Sequence, residues 1–193
     1  MDNFLIILLI IAMTTAVVED LKHHKIPNLV TFPTMAISVT YYTFINGHEG
    51  FLFSLGGMIF GTVFFIIPYI MGGMGAGDVK LMGAAGAIFG PKGIIIASIM
   101  VFLIGGVYGL LLMLITPGYT SSFLRRQWST LKTLVLTKQI ILVPPSFDEN
   151  RPVLKFAVPI ALGAMGFMYM KVFGYDLFPE LLGDKFMIFS ILK

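Results

Sequence analysis

Asp20 and Asp78 are the two residues of this chain whose type and setting suit acid–base chemistry. Asp20 closes an apolar run that begins at Phe4, and Leu-Lys-His-His-Lys-Ile-Pro-Asn follows it. Asp78 opens another apolar run, directly after Gly72-Gly73-Met74-Gly75-Ala76-Gly77. An ionisable group at membrane depth is costly, so its presence points to function. Two carboxylates brought close do not readily ionise together, and the pair shares a proton. The ionised member can take a proton from water as that water attacks a peptide carbonyl. The protonated member can hydrogen-bond the developing oxyanion and then help protonate the leaving amine. Such chemistry needs no metal, thiol or cofactor, and none is expected here; the chain has no cysteine.

The glycines before Asp78 have a use beside such a pair. A protease must hold its substrate extended, and an unwound glycine-rich segment can pair with an extended strand. Taken without Asp78, the glycines read more readily as tight helix packing. Glu19 points about 100° away from Asp20 on a helix and reads as an interfacial charge. His23 and His24 read as polar surface in a basic loop rather than as metal ligands. Lys80 is not on the Asp78 face of a helix and reads as an anchor to lipid phosphate or a bias on the local potential. Pro27 and Pro159 are expected to end or kink helices, a free carbonyl near the site being the lesser reading of Pro159. Asp148 and Glu149 read as solvated loop charge, and Asp176, Glu180 and Asp184 fall on the side away from the aspartates.

These residues need elements to carry them, and composition says where those lie. Of 193 residues 57% are hydrophobic and only 12% charged, with a mean hydropathy of +0.92. Soluble domains carry about a quarter charged residues, so lipid is the natural solvent. Apolar runs predict spans at about 3–19, 29–46, 51–71, 93–116 and 153–173. A short segment at about 79–90 is too short to cross alone and is expected to be covered by protein. The run Phe4–Val18 lacks a basic leading segment and reads as a retained span rather than a signal peptide. With the N-terminus outside, Lys22, Lys25, Lys80, Arg125, Arg126, Lys132, Lys138, Arg151 and Lys155 fall in the cytoplasm. Lys92, Lys171, Lys185 and Lys193 then lie outside, which obeys the positive-inside bias. This topology is a polytopic bundle of about six transmembrane helices, an all-α membrane protein with both termini outside. It puts Asp20 and Asp78 at one face and similar depth. The polar stretch 119–152 carries Leu124, Trp128, Leu131 and Val135 at helical spacing among Arg125, Arg126 and Lys132. It reads as an amphipathic helix on the membrane surface or as a plain basic cytoplasmic loop.

Gly75-Ala76-Gly77-Asp78 is a GxGD motif, which resembles the membrane aspartyl proteases that include prepilin peptidases, archaeal preflagellin peptidases and presenilin. The longer string Gly72 to Leu81 is similar to bacterial prepilin peptidase, the type IV leader peptidase family. So are Asp20 with Ile26-Pro27-Asn28 after it, and Lys155-Phe-Ala-Val-Pro-Ile-Ala-Leu-Gly163. The compact size and the last match look closest to the tight-adherence (Flp) pilus branch. The resemblance implies one integral-membrane peptidase domain over 1–193, with its fourth helix short and opening at the GxGD motif. It implies cleavage of a short basic leader from type IV pilin-like precursors at the cytoplasmic face of the inner membrane. The partners would be a prepilin-like substrate and membrane lipid, with no nucleic acid. The family's catalytic aspartates map onto Asp20 and Asp78. Gly75, Gly77, Lys80, Pro27 and Pro159 are expected to bind substrate or shape the site. Larger relatives carry an N-methyltransferase region, often with a four-cysteine metal site. This chain has neither cysteines nor room before Asp20, so a peptidase without that activity is expected. The alternatives are an archaeal-type preflagellin peptidase, a small ion- or proton-coupled transporter, or a non-enzymatic pilus-assembly scaffold.

Overall fold

A backbone out of water must satisfy its N–H and C=O groups internally, which in an open chain means helices. The computed structural model describes residues 2–70, 73–115, 128, 132 and 156–173, and among them there is no strand. The elements are α1 (Asn3–His23), α2 (Asn28–Ile70), α3 (Ala76–Ile115) and α4 (Ala157–Val172). α1, α2 and α3 are each long and apolar enough to cross a membrane, and α4 is a shorter apolar helix. The protein is a multi-pass helical membrane protein. The stretch 119–152 lies outside the described residues except for Trp128 and Lys132, both helical and exposed.

Two of the four elements are folded in the middle. α2 breaks at Gly47 (φ 57°, ψ −135°) and α3 at Gly90 (φ 72°, ψ 178°), conformations open to glycine and costly for other residues. The neighbours on each side show the chain reversing. Along the first half of α2, Asn28 meets Lys80, Met35 lies against Gly83, and Tyr42 bonds Ile88. Along the second half, Ser54 bonds Ala87, Gly57 meets Gly86 and Gly61 meets Met82. Residue 28 to 46 and residue 48 to 70 therefore run in opposite directions beside α3. Past Gly90 the chain turns back as well, bringing Ile94 to Gly61 and Phe102 to a stacked contact 4.9 Å from Phe65. α4 returns antiparallel, with Phe167 at Phe89 and Gly93, Gly163 at Val101 and Phe156 at Gly105. The expected spans are thus present as helical segments. The loop expected at 46–50 is instead one glycine between two helices. α1 also runs past Asp20 to His23 rather than stopping before it.

The short segment of α3, residues 76–89, is the centre of the bundle. It is about 21 Å long, and residues 81–90 are all buried. Helices apolar on every side belong in such positions. Its sequence Leu-Met-Gly-Ala-Ala-Gly-Ala lets neighbours come close. Gly57 and Gly61, a small-xxx-small pair on α2, approach it backbone to backbone. A Cβ on Gly57 would collide with the Gly86 carbonyl, and one on Gly86 with that of Gly57. This glycine pair on α2 is a packing signal that the sequence reading passed over.

A helix that ends inside a bundle leaves its last carbonyls without intrahelical partners. Here side chains supply them. Ser54 Oγ donates to the Ala87 carbonyl at 2.7 Å, and Tyr42 Oη donates to that of Ile88 at 2.8 Å. The short helix is tolerated at membrane depth because α2 caps its far end from both halves.

Gly57→Leu should cost about 3 kcal/mol or more by overpacking against backbone. Gly109→Ala, where an added Cβ meets nothing within 4 Å, should leave stability unchanged or slightly raised. Thermal unfolding of the two variants in detergent measures the difference.

Candidate active site

The site is built where α1 ends, α2 begins and α3 begins. Asp20 sits in the last turn of α1. The helix closes with His24 in the left-handed region (φ 52°), whose N–H donates to the Asp20 carbonyl at 3.1 Å. Histidine is one of the side chains that tolerate this conformation better than most. Asp20 is half-buried, and its Oδ2 is out of contact with solvent. Glu19 points elsewhere, as expected from helical geometry, and pairs with Nδ1 of His23 at 2.8 Å on the exposed surface. The two histidines thus have surface and capping roles rather than a shared one.

Asp78 is built into the start of α3. Gly75 precedes the helix as its N-cap, which places Asp78 at the third helical position. The Asp78 N–H donates to the Gly75 carbonyl at 3.2 Å, and the Gly75 N–H donates to Asp78 Oδ2 at 2.9 Å. This is the carboxylate half of a capping box, reinforced by the favourable setting of an acid at a helix N-terminus. Asp78 is only 7% exposed. Its carboxylate lies within electrostatic range of Asp20. Two acids from distant parts of the chain therefore stand at the same end of the bundle. The opposite end holds the start of α1, where Asp2 Oδ2 accepts a hydrogen bond from Tyr41 at 2.8 Å, and the Gly47 and Gly90 turns.

The residues around the acids lock together. A Cβ on Gly77 would stand 2.9 Å from Ile26 Cβ and 3.4 Å from Ile26 N. The second glycine of GxGD is thus required by the close approach of the Ile-Pro-Asn connector. Its first glycine is less crowded, since a Cβ there would meet only Asp78 Oδ2, at 3.4 Å, and the Gly77 N at 4.0 Å. Pro27 stands directly before α2, and its carbonyl accepts the Val30 N–H at 3.0 Å in the first turn. Lys80 reaches across to α2, donating to Asn28 Oδ1 at 2.9 Å and lying 5.3 Å from the Phe32 ring centroid. The sequence reading sent this ammonium to lipid phosphate; the structure gives it a partner inside the protein. Asn28 and Ile26 were read only as parts of a motif, because linear spacing does not reveal a contact across 52 residues.

Pro159 behaves differently from its expectation. It is buried in the first turn of α4, facing Gly105 of α3. Backbone N–H groups in a first turn lack intrahelical acceptors in any case, so a proline there does not kink the helix. Its described contact is with α3 rather than with either aspartate. The glycine run is also less open than the sequence suggested. The Gly73 N–H donates to the Pro68 carbonyl at 2.9 Å and that of Gly75 to Asp78. Gly72 lies outside the described residues.

The fold is thus a helical membrane bundle with a buried acid, Asp78, within electrostatic range of a second, Asp20. The type IV leader peptidase family model matches residues 7–110, more than half of the chain, and the chain belongs to that family. Asp20, the connector and the GxGD segment all lie within the match, whereas Pro159 lies beyond it. No curated protein and no solved structure matches the chain.

Asp78→Asn keeps an oxygen that can accept the Gly75 N–H, so it should unfold within about 0.5 kcal/mol of the native chain. Asp78→Ala removes that acceptor and should cost about 1–2 kcal/mol. Detergent melting curves of both variants test this separation of capping from chemistry. Gly77→Ala should be the more damaging of the two motif glycine changes, since Gly75→Ala meets only ordinary contacts. Yield of folded protein and leader cleavage, compared side by side, would show it.

Proposed function

We propose that Asp20 and Asp78 are the catalytic carboxylates of an aspartic endopeptidase that removes a short basic leader from type IV pilin-like precursors. The reading places the site at the cytoplasmic face of the inner membrane, with both ends of the chain outside and residues 1–193 acting as one peptidase domain. The observation that carries it is the contact of Ile26, in the connector after Asp20, with Gly77 of the GxGD segment, which sets both acids at one end of the bundle. Membership of the leader peptidase family supports the substrate class.

The chemistry follows from the surroundings of each acid. One carboxylate, ionised, takes a proton from a water as the water oxygen attacks the scissile carbonyl carbon. The other, protonated, hydrogen-bonds the carbonyl oxygen as negative charge develops on it. Collapse of the tetrahedral intermediate breaks the C–N bond, and the proton taken from water goes to the departing amine. Packing around Asp78 keeps bulk water from competing for these hydrogen bonds. The scissile bond must be extended to be reached. The non-helical residues Gly73 to Gly75 supply a backbone edge beside Asp78, though the N–H groups of both glycines are already engaged. Any pairing with substrate must therefore use other groups of that edge. The lack of cysteine supports a peptidase without the methyl-transfer activity of larger relatives.

Co-expression with a Flp-type prepilin and, separately, with a preflagellin should give a mobility shift for the prepilin. The product mass should correspond to leader removal with no added methyl group. Asp20→Asn and Asp78→Asn should each lower cleavage at least about a hundredfold. Undiminished cleavage in either variant would remove that residue from the catalytic pair, and cleavage of the preflagellin alone would reassign the substrate.

A further inference from the structure

The contact between Lys80 and Asn28 has a geometry that packing alone does not require. Asn28 opens α2, and Phe32 stands one turn further along the same helical face. The amide oxygen of the one and the ring of the other form a receptacle for a single ammonium. Lys80 is two residues beyond Asp78, so on a helix the two side chains leave on nearly opposite sides. Asp78 turns back to Gly75 while Lys80 reaches α2. On the other side of the contact, the short connector that ends at Asn28 leads directly back to the last turn of α1 and Asp20. That connector is fixed a second time where Ile26 lies on the bare Cα of Gly77.

We propose that Asn28 and Lys80 are positioning residues, a polar clasp that sets the separation of Asp20 from Asp78. This rests on the reading of those two acids as the catalytic pair. The Ile26–Gly77 contact resists closer approach of the connector to α3 but, being apolar and one-sided, does not stop it from lifting away. The Lys80–Asn28 hydrogen bond supplies the missing tension. Together they hold the connector at a fixed distance, and α1 with it. Neither clasp residue touches the substrate or the reacting atoms. Their loss acts through the spacing of the acids and slows the chemical step, while binding of the pilin segment is left in place.

Steady-state cleavage of a prepilin by the purified full chain in detergent provides the first readout. Lys80→Met, which keeps the aliphatic stem, should lower kcat tenfold or more with KM within about twofold. Asn28→Ala should do the same, and the double variant should be no worse than either single one, as expected for two halves of one interaction. Asn28→Asp, which still accepts from the ammonium, should recover most of the rate. The second readout is independent of catalysis. The native chain has no cysteine, so Asp20→Cys with Asp78→Cys gives a unique spin-labelled pair. The distance distribution of that pair should broaden or lengthen when Lys80→Met is added. Additive losses in the double variant, an effect confined to KM, or an unchanged distance distribution would each overturn the clasp. If Asp20→Asn and Asp78→Asn still cleave, the catalytic reading fails, and the distance measurement still decides whether the clasp exists.

Discussion

The structure depends on one constraint: a helix of about four turns must be stable inside a bundle without reaching across it. Lipid cannot hydrogen-bond the ends of such a helix, and water is kept from its flanks. The segment 76–89 meets this constraint by burying every residue from 81 onward among neighbouring helices. Glycine and alanine on one side and Gly57 and Gly61 on the other let two backbones touch. Contact at that range gains dispersion attraction over many atoms and leaves no room for lipid between the helices. The two ends are closed by side chains, Ser54 and Tyr42 at one and Asp78 at the other.

The end that carries Asp20 and Asp78 inherits its order from this arrangement. Asp78 is held by the start of a helix that cannot slide, because both halves of α2 grip it along its length. α1 packs Leu5, Leu9, Met13 and Ala16 into the same core, and a tyrosine–aspartate bond at its beginning and the connector at its end tie it further. With one acid on the central segment and the other at the end of α1, their alignment falls to the short connector between α1 and α2. That is where the Ile-Pro-Asn residues lie. Their value is steric and polar in equal measure: Ile26 fits a missing side chain, Pro27 fixes the entry to α2, and Asn28 faces a lysine.

Much of this was legible in the sequence. The helical segments, the burial of the short one and the shared end of the two aspartates follow from apolar run length, charge bias and alternation of direction between spans. These are one-dimensional signals, summed over many residues, and they survive local errors. The Gly47 turn was located but misjudged in kind, since a loop and a one-residue reversal have nearly the same hydropathy. The interlock of the two motifs was not legible. Nothing in the spacing of Gly77 says that Ile26 will occupy the place of its side chain, and nothing in Lys80 names Asn28. Pro159 shows the reverse error. A proline is recognised as a constraint on its helix, yet its position within the first turn, which only the structure fixes, decides that it disturbs nothing.

The hydrogen bond from Gly75 to Oδ2 makes the Asp78 carboxyl asymmetric. An oxygen that already faces an N–H is electron-poor and sterically shielded on that side, so a proton arriving at this group favours Oδ1. The side chain is also held in one rotamer, because turning it would leave a helix N-terminus open. Asp78 thus presents a labelled pair of atoms, one anchored and one available. A carboxyl free to rotate would average the two over time. Here a helix cap serves as a jig for an acid.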